Sequence, residues 1–212
     1  MLYTWLDHYR TTYARCLDAD NGGAQGILQP GYLNRAQGFD QIWQCLLSQR
    51  SVNFNIIETG CVRLLGNWAD GQSTVLLSRF VDWHGGRLRS VDIDPAAVDT
   101  VRSCIVSDRF CCHCGDSVAW LESQTDLSTV DLFYLDSYDQ DWHNDQASAE
   151  HHLREFQTIQ PYLKPGALVA IDDNGRWLSS GQRTGKGRLI AEYLQDQGHA
   201  PVYDQYQIVY QF

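Results

Sequence analysis

No stretch of this 212-residue chain offers the roughly 18 consecutive apolar residues that a membrane-spanning helix requires. Its start, MLYTWLDHYRTTYARC, mixes charge with aromatics and lacks the apolar core of a secretory signal. Positive charge is also scarce. Sixteen Lys and Arg stand against 26 Asp and Glu, a formal net charge of -10 with a pI near 4.9. Such a surface repels a phosphate backbone, so neither nucleic acid nor a membrane is expected as a partner. Internal repeats and low-complexity tracts are missing as well.

The seven cysteines are Cys16, Cys45, Cys61, Cys104, Cys111, Cys112 and Cys114. Their number is odd and no secretory signal accompanies them, so they read as reduced thiols of a cytoplasmic protein. The run Cys111-Cys112-His113-Cys114 lacks zinc-site spacing. Neighbours on a strand point to opposite faces, and no second ligand pair follows. The run reads as a strand.

What is present is an ordinary globular composition, 43% apolar and 20% charged, of a length that suits one domain. Residues 1–52 read as a helical, polar-aromatic segment. Gly22, Gly23, Gly26, Pro30 and Gly31 interrupt it ahead of a helix over 33–47, whose apolar face carries Phe39, Ile42, Trp43 and Leu46. The aromatics Tyr3, Trp5, Tyr9, Tyr13 and Tyr32 can pack this segment onto the rest or close it over a ligand.

From residue 53 to 212 short apolar strands alternate with helices. Strands are predicted over 54–58, 87–92, 110–114, 130–135 and 167–171, with two more around a turn at 201–203 and 207–212. Ser73 is expected to cap the first intervening helix, and Asp94-Pro95 supplies cap and first residue of the next. Further helices start at Ser117, at about Gln146 and at Gly187. This pattern predicts an α/β, Rossmann-like, mostly parallel seven-stranded sheet with helices on both faces and an antiparallel C-terminal strand. Ligands of such sheets bind at the carboxyl ends of the strands. Glu58, Asp92, Asp116, Asp136 and Asp172-Asp173 stand at or just past successive strand ends, so together they describe a lined pocket.

The loop Glu58-Thr59-Gly60 is not the G-x-G-x-x-G dinucleotide fingerprint, and an acid before the glycine repels a pyrophosphate. Asp92 can accept from a ribose diol, and an acceptor at Asp116 suits an adenine amino group. The ligand described is a nucleoside carrying positive charge, of which S-adenosylmethionine is the common metabolite. The ordered motifs I-E-T-G, D-G-Q-S-T, S-V-D-I-D-P, G-D-S, D-L-F-Y-L-D-S and L-K-P-G-A-L-V-A-I-D-D-N resemble the class I S-adenosylmethionine-dependent methyltransferases over about 53–212. The resemblance implies that Glu58 and Gly60 lie beside the methionine part of the cofactor, and Ser73, at the helix start beyond the loop, is counted among the cofactor-binding residues. It places Asp92 on the ribose and Asp116 with Ser117 near the adenine. One departure is the segment 61–70, CVRLLGNWAD, which looks inserted before Gly71. Asn67 and Trp68 are expected to shape the cofactor loop or fold over the ligand, unless the segment is a surface excursion.

Methyl transfer needs an aligned nucleophile, and an oxygen nucleophile must lose its proton. Asp136 and Asp172-Asp173-Asn174 end neighbouring strands, where oxygen ligands suit magnesium or calcium. The pattern is similar to the metal-dependent O-methyltransferases of catechol and macrocin type. That likeness implies Asp136, Asp173 and Asn174 as magnesium ligands, with Asp172 as substitute. Their catalytic lysine would fall near Asp139, so that role does not carry over. Asp136, Asp139 and His143 are the candidate catalytic residues; Asp139, His143 and His151 are the candidate bases, with His151 and His152 placed on the following helix. The glycine-rich run 181–187 is not a P-loop; its cations can meet an anionic acceptor or stay solvated. Arg176 and Trp177 lie nearer the expected site. The reading is an S-adenosylmethionine-dependent O-methyltransferase acting on a small molecule or sugar with a divalent metal assisting, and a homodimer by base expectation. A non-catalytic S-adenosylmethionine-binding module and a nicotinamide-dependent oxidoreductase are the alternatives.

Overall fold

Alternation along the strands assigns their side chains to opposite layers. Ile56, Leu132, Tyr134, Leu168 and Ala170 belong to one apolar core, while Ile57, Phe133, Leu135, Val169 and Ile171 belong to another. A strand buried on both faces has no solvent side, and this requires helices above and below. The computed structural model, which describes residues 4–212 apart from 19–23, 25, 33 and 69–70, shows that arrangement. Tyr3, Gly22, Gly23, Leu33 and Asp70 of the sequence reading lie outside the described residues.

The strands are β1 (Phe54–Thr59), β2 (Gly86–Asp92), β3 (Phe110–Cys114), β4 (Leu132–Leu135), β5 (Leu168–Ile171), β6 (Asn174–Arg176), β7 (Arg183–Gly185), β8 (Tyr203–Asp204) and β9 (Ile208–Gln211). Seven of them form one sheet in the order β3-β2-β1-β4-β5-β9-β8. β1 to β5 pair in parallel, and β9 runs antiparallel between β5 and β8. The chain winds from β1 outward through β3, then returns to β4 on the other side of β1. That reversal opens a crevice between the carboxyl ends of β1 and β4.

The helices are α1 (Trp5–Thr12), α2 (Ala14–Asp18), α3 (Arg35–Gln49), α4 (Ser73–His84), α5 (Pro95–Cys104), α6 (Ser117–Glu122), α7 (Gln146–Ile159) and α8 (Arg188–Asp196). Residues of α1, α3 and α4 join the first core, and residues of α6, α7 and α8 the second. The described N-terminal aromatics pack. Trp5 meets Trp43 at 5.6 Å and Phe80 at 5.5 Å, both edge-on. Tyr9 donates its hydroxyl to the Ala36 carbonyl at 2.7 Å. Tyr13 lies 6.0 Å from Trp68, and Tyr32 accepts from Arg176 Nε at 2.8 Å. Among the described residues, no helix is long and apolar enough to cross a membrane.

Two local expectations need correction. Ser73 is the first residue of α4 and not its cap. Gln72 precedes it, and its amide instead pins the inserted loop, donating to the carbonyls of Leu64 and Asn67 at 3.1 Å and accepting from Gly66 N–H at 3.1 Å. Residues 174–185 form a small antiparallel hairpin, β6 with β7, where a loop was expected. Three-residue strands rich in Gly, Arg and Thr carry no periodic signal; their pairing comes from tertiary contacts. Asp94 caps α5 as expected, accepting from Ala96 N–H at 2.9 Å.

The first core is centred on Trp43, stacked on Phe80 at 4.6 Å and on Phe39 at 5.7 Å. Trp43→Ala leaves a cavity between α3 and α4 and is expected to cost about 3–5 kcal/mol of stability, read by urea unfolding.

Candidate active site

The crevice at the β1–β4 reversal is a cleft of about 770 Å³. Gly60, Asp92 and Asp94 line one wall; Asp136, Asp173 and Lys186 line the other.

On the first wall, Gly60 leaves β1 with φ +81, and a Cβ there would stand 2.4 Å from the Asp136 carbonyl oxygen. Only glycine lets these two strand exits cross so closely. The Asp92 carboxylate is oriented by backbone, accepting from Cys61 N–H and from Asp94 N–H, each at 2.8 Å. It thus faces the cleft as a fixed, acceptor-only group, which fits a ribose diol. Glu58 lies wholly buried beneath this wall. Ser90 donates to its Oε2 at 2.5 Å. Burial pushes its carboxyl up to about 7, against the hydroxyls of Ser90, Ser73 and Thr74. Asp116 is exposed and caps α6, accepting from Ala119 N–H at 2.9 Å. Ser117 is buried and its hydroxyl meets His151 Nε2 at 2.9 Å. Of the expected cofactor residues, the fold therefore brings Gly60 and Asp92 to the cleft surface. Glu58, Ser73, Asp116 and Ser117 are not part of its lining.

On the second wall, one carboxylate oxygen from each of Asp136, Asp172 and Asp173 lies within 4.8 Å of the others. Asp173 takes φ +50, a left-handed turn that aspartate tolerates, as the chain leaves β5. Two cations hold this cluster. The Lys186 ammonium contacts Asp136 Oδ1 and stands 2.9 Å from Asp173 Oδ2. Arg35, from the start of α3, lies 3.1 Å from Asp172 Oδ2 and 3.2 Å from Asp173 Oδ1. Tyr206 donates to Asp173 Oδ1 at 2.5 Å. Burial opposes the charge on Lys186, but Asp136, Asp173 and Asp172 hold it well above the ordinary lysine range. Burial likewise works against ionised Asp173, yet Lys186 and Arg35 keep it well below the usual carboxylate range. At Asp136 burial prevails and raises the carboxyl.

The magnesium set fares unevenly in this geometry. Asp136 and Asp173 converge, but the Asn174 amide is spent on backbone. Its nitrogen donates to the carbonyls of Ile171 and Asp172 at 2.7 and 2.9 Å, and its oxygen accepts from Gly187 N–H at 2.7 Å. By donor type the three carboxylates suit a hard cation. As they stand, however, a divalent ion among them would meet the Lys186 ammonium, so the residues present do not fit it.

The other candidate groups are placed as follows. Asp139 lines the cleft mouth and pairs with Arg63 at 2.7 Å. His143 is exposed and outside the lining. His151 and His152 lie under the floor around the buried Glu155, which accepts from Thr59 at 3.1 Å and Ser137 at 2.7 Å. Burial depresses His152 to about 4. Asn67 and Trp68 do not line the cleft. Arg35 and Tyr206 were missed, and Lys186 was expected only as one of the cations of the glycine-rich run, meeting an anionic acceptor or solvent. Arg35 sits more than a hundred residues from its partners and has no local signal. Lys186 stood in the glycine-rich run, whose two flanking glycines were its one hint.

Glu58 supplies a pH test. Its carboxyl rises from 4.5 to about 7 on folding. The folded state therefore holds more protons across that window, and the contribution present below pH 4.5 is lost as pH rises through 7. Relative to Glu58→Gln, the wild type is expected to lose on the order of 3 kcal/mol of stability between these limits, read by urea midpoints at several pH values.

Comparison with known proteins adds a family. The family described as "Methyltransferase domain" matches residues 66–174, about half of the chain. No curated protein sequence matches. The calicheamicin methyltransferase CalS11 has a TM-score of 0.55 at 14% identity, over 83% of this chain and 77% of its own. The apo form of CalS11, described as a TDP-rhamnose 3'-O-methyltransferase, gives 0.53 at 16% identity over 83% and 78%. MycE of the mycinamycin pathway, in complex with Mg, S-adenosylhomocysteine and mycinamycin VI, gives 0.55 at 14% identity; this chain spans 48% of it. Likeness at such identity establishes the fold. With the family match over half its length, the chain belongs to the methyltransferase-domain family and carries the class I S-adenosylmethionine-dependent methyltransferase fold.

Proposed function

We propose that the protein transfers the methyl group of S-adenosylmethionine to a hydroxyl oxygen of a small molecule, with a sugar as the favoured acceptor. The observation that carries this reading is the cleft itself. It sets a backbone-oriented acceptor, Asp92, on one wall and a charged cluster with Asp136 and Lys186 on the other. Its volume of about 770 Å³ suits a nucleoside cofactor with a modest acceptor. The polar lining suits hydroxyls, and the sugar acceptor printed for CalS11 supports the same class.

The cofactor, when bound, supplies an electrophilic methyl on a sulfonium. Asp92 holds the ribose hydroxyls and so fixes the direction in which that methyl points. Asp136 would take the acceptor's proton as the oxygen bonds to the methyl carbon, and the cofactor, leaving as a thioether, would keep the carbon–sulfur electron pair. Asp136 stands at the end of β4 on the cleft wall, within reach of an acceptor in the cleft. Asp139, at the rim and paired with Arg63, and His143, outside the lining, are less well placed. The family's magnesium enters no step here, because Lys186 lies in its path.

Calorimetric titration tests the cofactor: S-adenosylhomocysteine is expected to bind wild type, and Asp92→Ala to weaken it by about ten- to a hundredfold. Absence of wild-type binding would overturn the reading. Labelled-methyl transfer to a panel of nucleotide sugars, glycosides and phenols is expected to fall about a hundredfold or more in Asp136→Asn. A binding module without chemistry would transfer nothing in either form.

A further inference from the structure

The three-acid cluster is built around a lysine that the fold delivers with care. Lys186 is 3% exposed. It sits between Gly185 and Gly187, and both glycines are closely approached. A Cβ on Gly185, at φ +100, would stand 2.1 Å from the Asp173 carbonyl oxygen; one on Gly187 would stand 2.5 Å from Asn174 Oδ1. The turn is held by four hydrogen bonds to three residues. Lys186 N–H donates to the Asp173 carbonyl at 3.1 Å. Gly187 N–H donates to Asn174 Oδ1 at 2.7 Å, and Gly185 N–H and the Thr184 hydroxyl each reach Asp145 Oδ2 at 2.9 Å. Asn174 therefore serves to position the turn that carries the ammonium.

We propose that the Lys186 ammonium is the resident cation of this site, standing among Asp136, Asp172 and Asp173 where a divalent ion would otherwise bind. The site then works without a metal. A fixed ammonium at the cleft wall offers the acceptor oxygen a hydrogen-bond donor and a positive charge. These favour the developing alkoxide as a metal would, with a weaker field and no ligand exchange. Arg35 completes the arrangement by neutralising Asp172, which Lys186 does not contact directly. The inference about occupancy stands on this geometry; the acceptor's part in it rests on the methyltransferase reading.

The test titrates Mn²⁺, followed by electron paramagnetic resonance, into the full chain, with S-adenosylhomocysteine binding measured in the same samples in EDTA. Wild type is expected to bind no Mn²⁺ that depends on Asp136, and to bind S-adenosylhomocysteine equally with and without EDTA. Folded Lys186→Met, which leaves three carboxylates against one guanidinium, is expected to gain one Mn²⁺ site, while Lys186→Arg gains none. Wild-type Mn²⁺ binding tighter than about 0.1 mM that Asp136→Asn abolishes would overturn the proposal. So would a folded Lys186→Met that gains no site. Mn²⁺ binding insensitive to Asp136→Asn belongs to the acidic surface and leaves the ammonium in place as proposed. Should Lys186→Met not fold, the wild-type titration decides alone. Loss of S-adenosylhomocysteine binding would count against the methyltransferase reading, separately from the cation result.

Discussion

Three carboxylates gathered within 4.8 Å of one another inside a folded protein cannot persist unpaired. Everything around the cleft answers that constraint. Lys186 arrives from the turn after β7, Arg35 from the start of α3 and Tyr206 from the approach to β9. Elements distant in sequence are drawn to one point at the carboxyl edge of the sheet. The N-terminal segment is tied into the site by Arg35. The small hairpin of β6 and β7 leads directly into the lysine.

The two walls of the cleft differ in how they are held. Asp92 owes its direction to two backbone N–H groups of neighbouring loops, an orientation that needs only local geometry. Asp136 and Asp173 owe theirs to buried ion pairs over long sequence separation. Beneath both lies a second buried layer, with Glu58 bonded to Ser90 on one side and Glu155 joined to Thr59, Ser137 and His151 on the other. These acids support the loops from below. Burial depresses His152 to about 4, and its side chain lies beneath the cleft and outside its lining.

Most of the scaffold was readable from the chain. The strands β1, β4 and β5 announce themselves as short apolar runs with an acid at or just past the end, and Asp94-Pro95 marks the start of α5 by capping chemistry alone. Asp136 and Asp173 were legible as site residues because a strand-end acid in a parallel sheet has one place to go. The position of Asn174 was legible too, but not its partners. An amide at a strand end can ligate a metal or hold a backbone turn, and only the packing of Gly187 against it selects the second. The same holds for Ser73, whose hydroxyl type suggests a cap although the inserted loop gives that position to Gln72.

The sequence by itself determined the alternation of strands and helices, the carboxyl-edge location of the site and the acidic character of its residues. These follow from periodicity and chain direction, which are local properties. The tertiary structure alone decided which charges meet. Whether the acids at β4 and β5 surround a metal or an ammonium depends on where a single lysine in a glycine-rich run comes to rest. That position is fixed by a hairpin register, the close approach of Gly185 to the Asp173 backbone and the packing of Gly187 against Asn174, none of which a local pattern encodes.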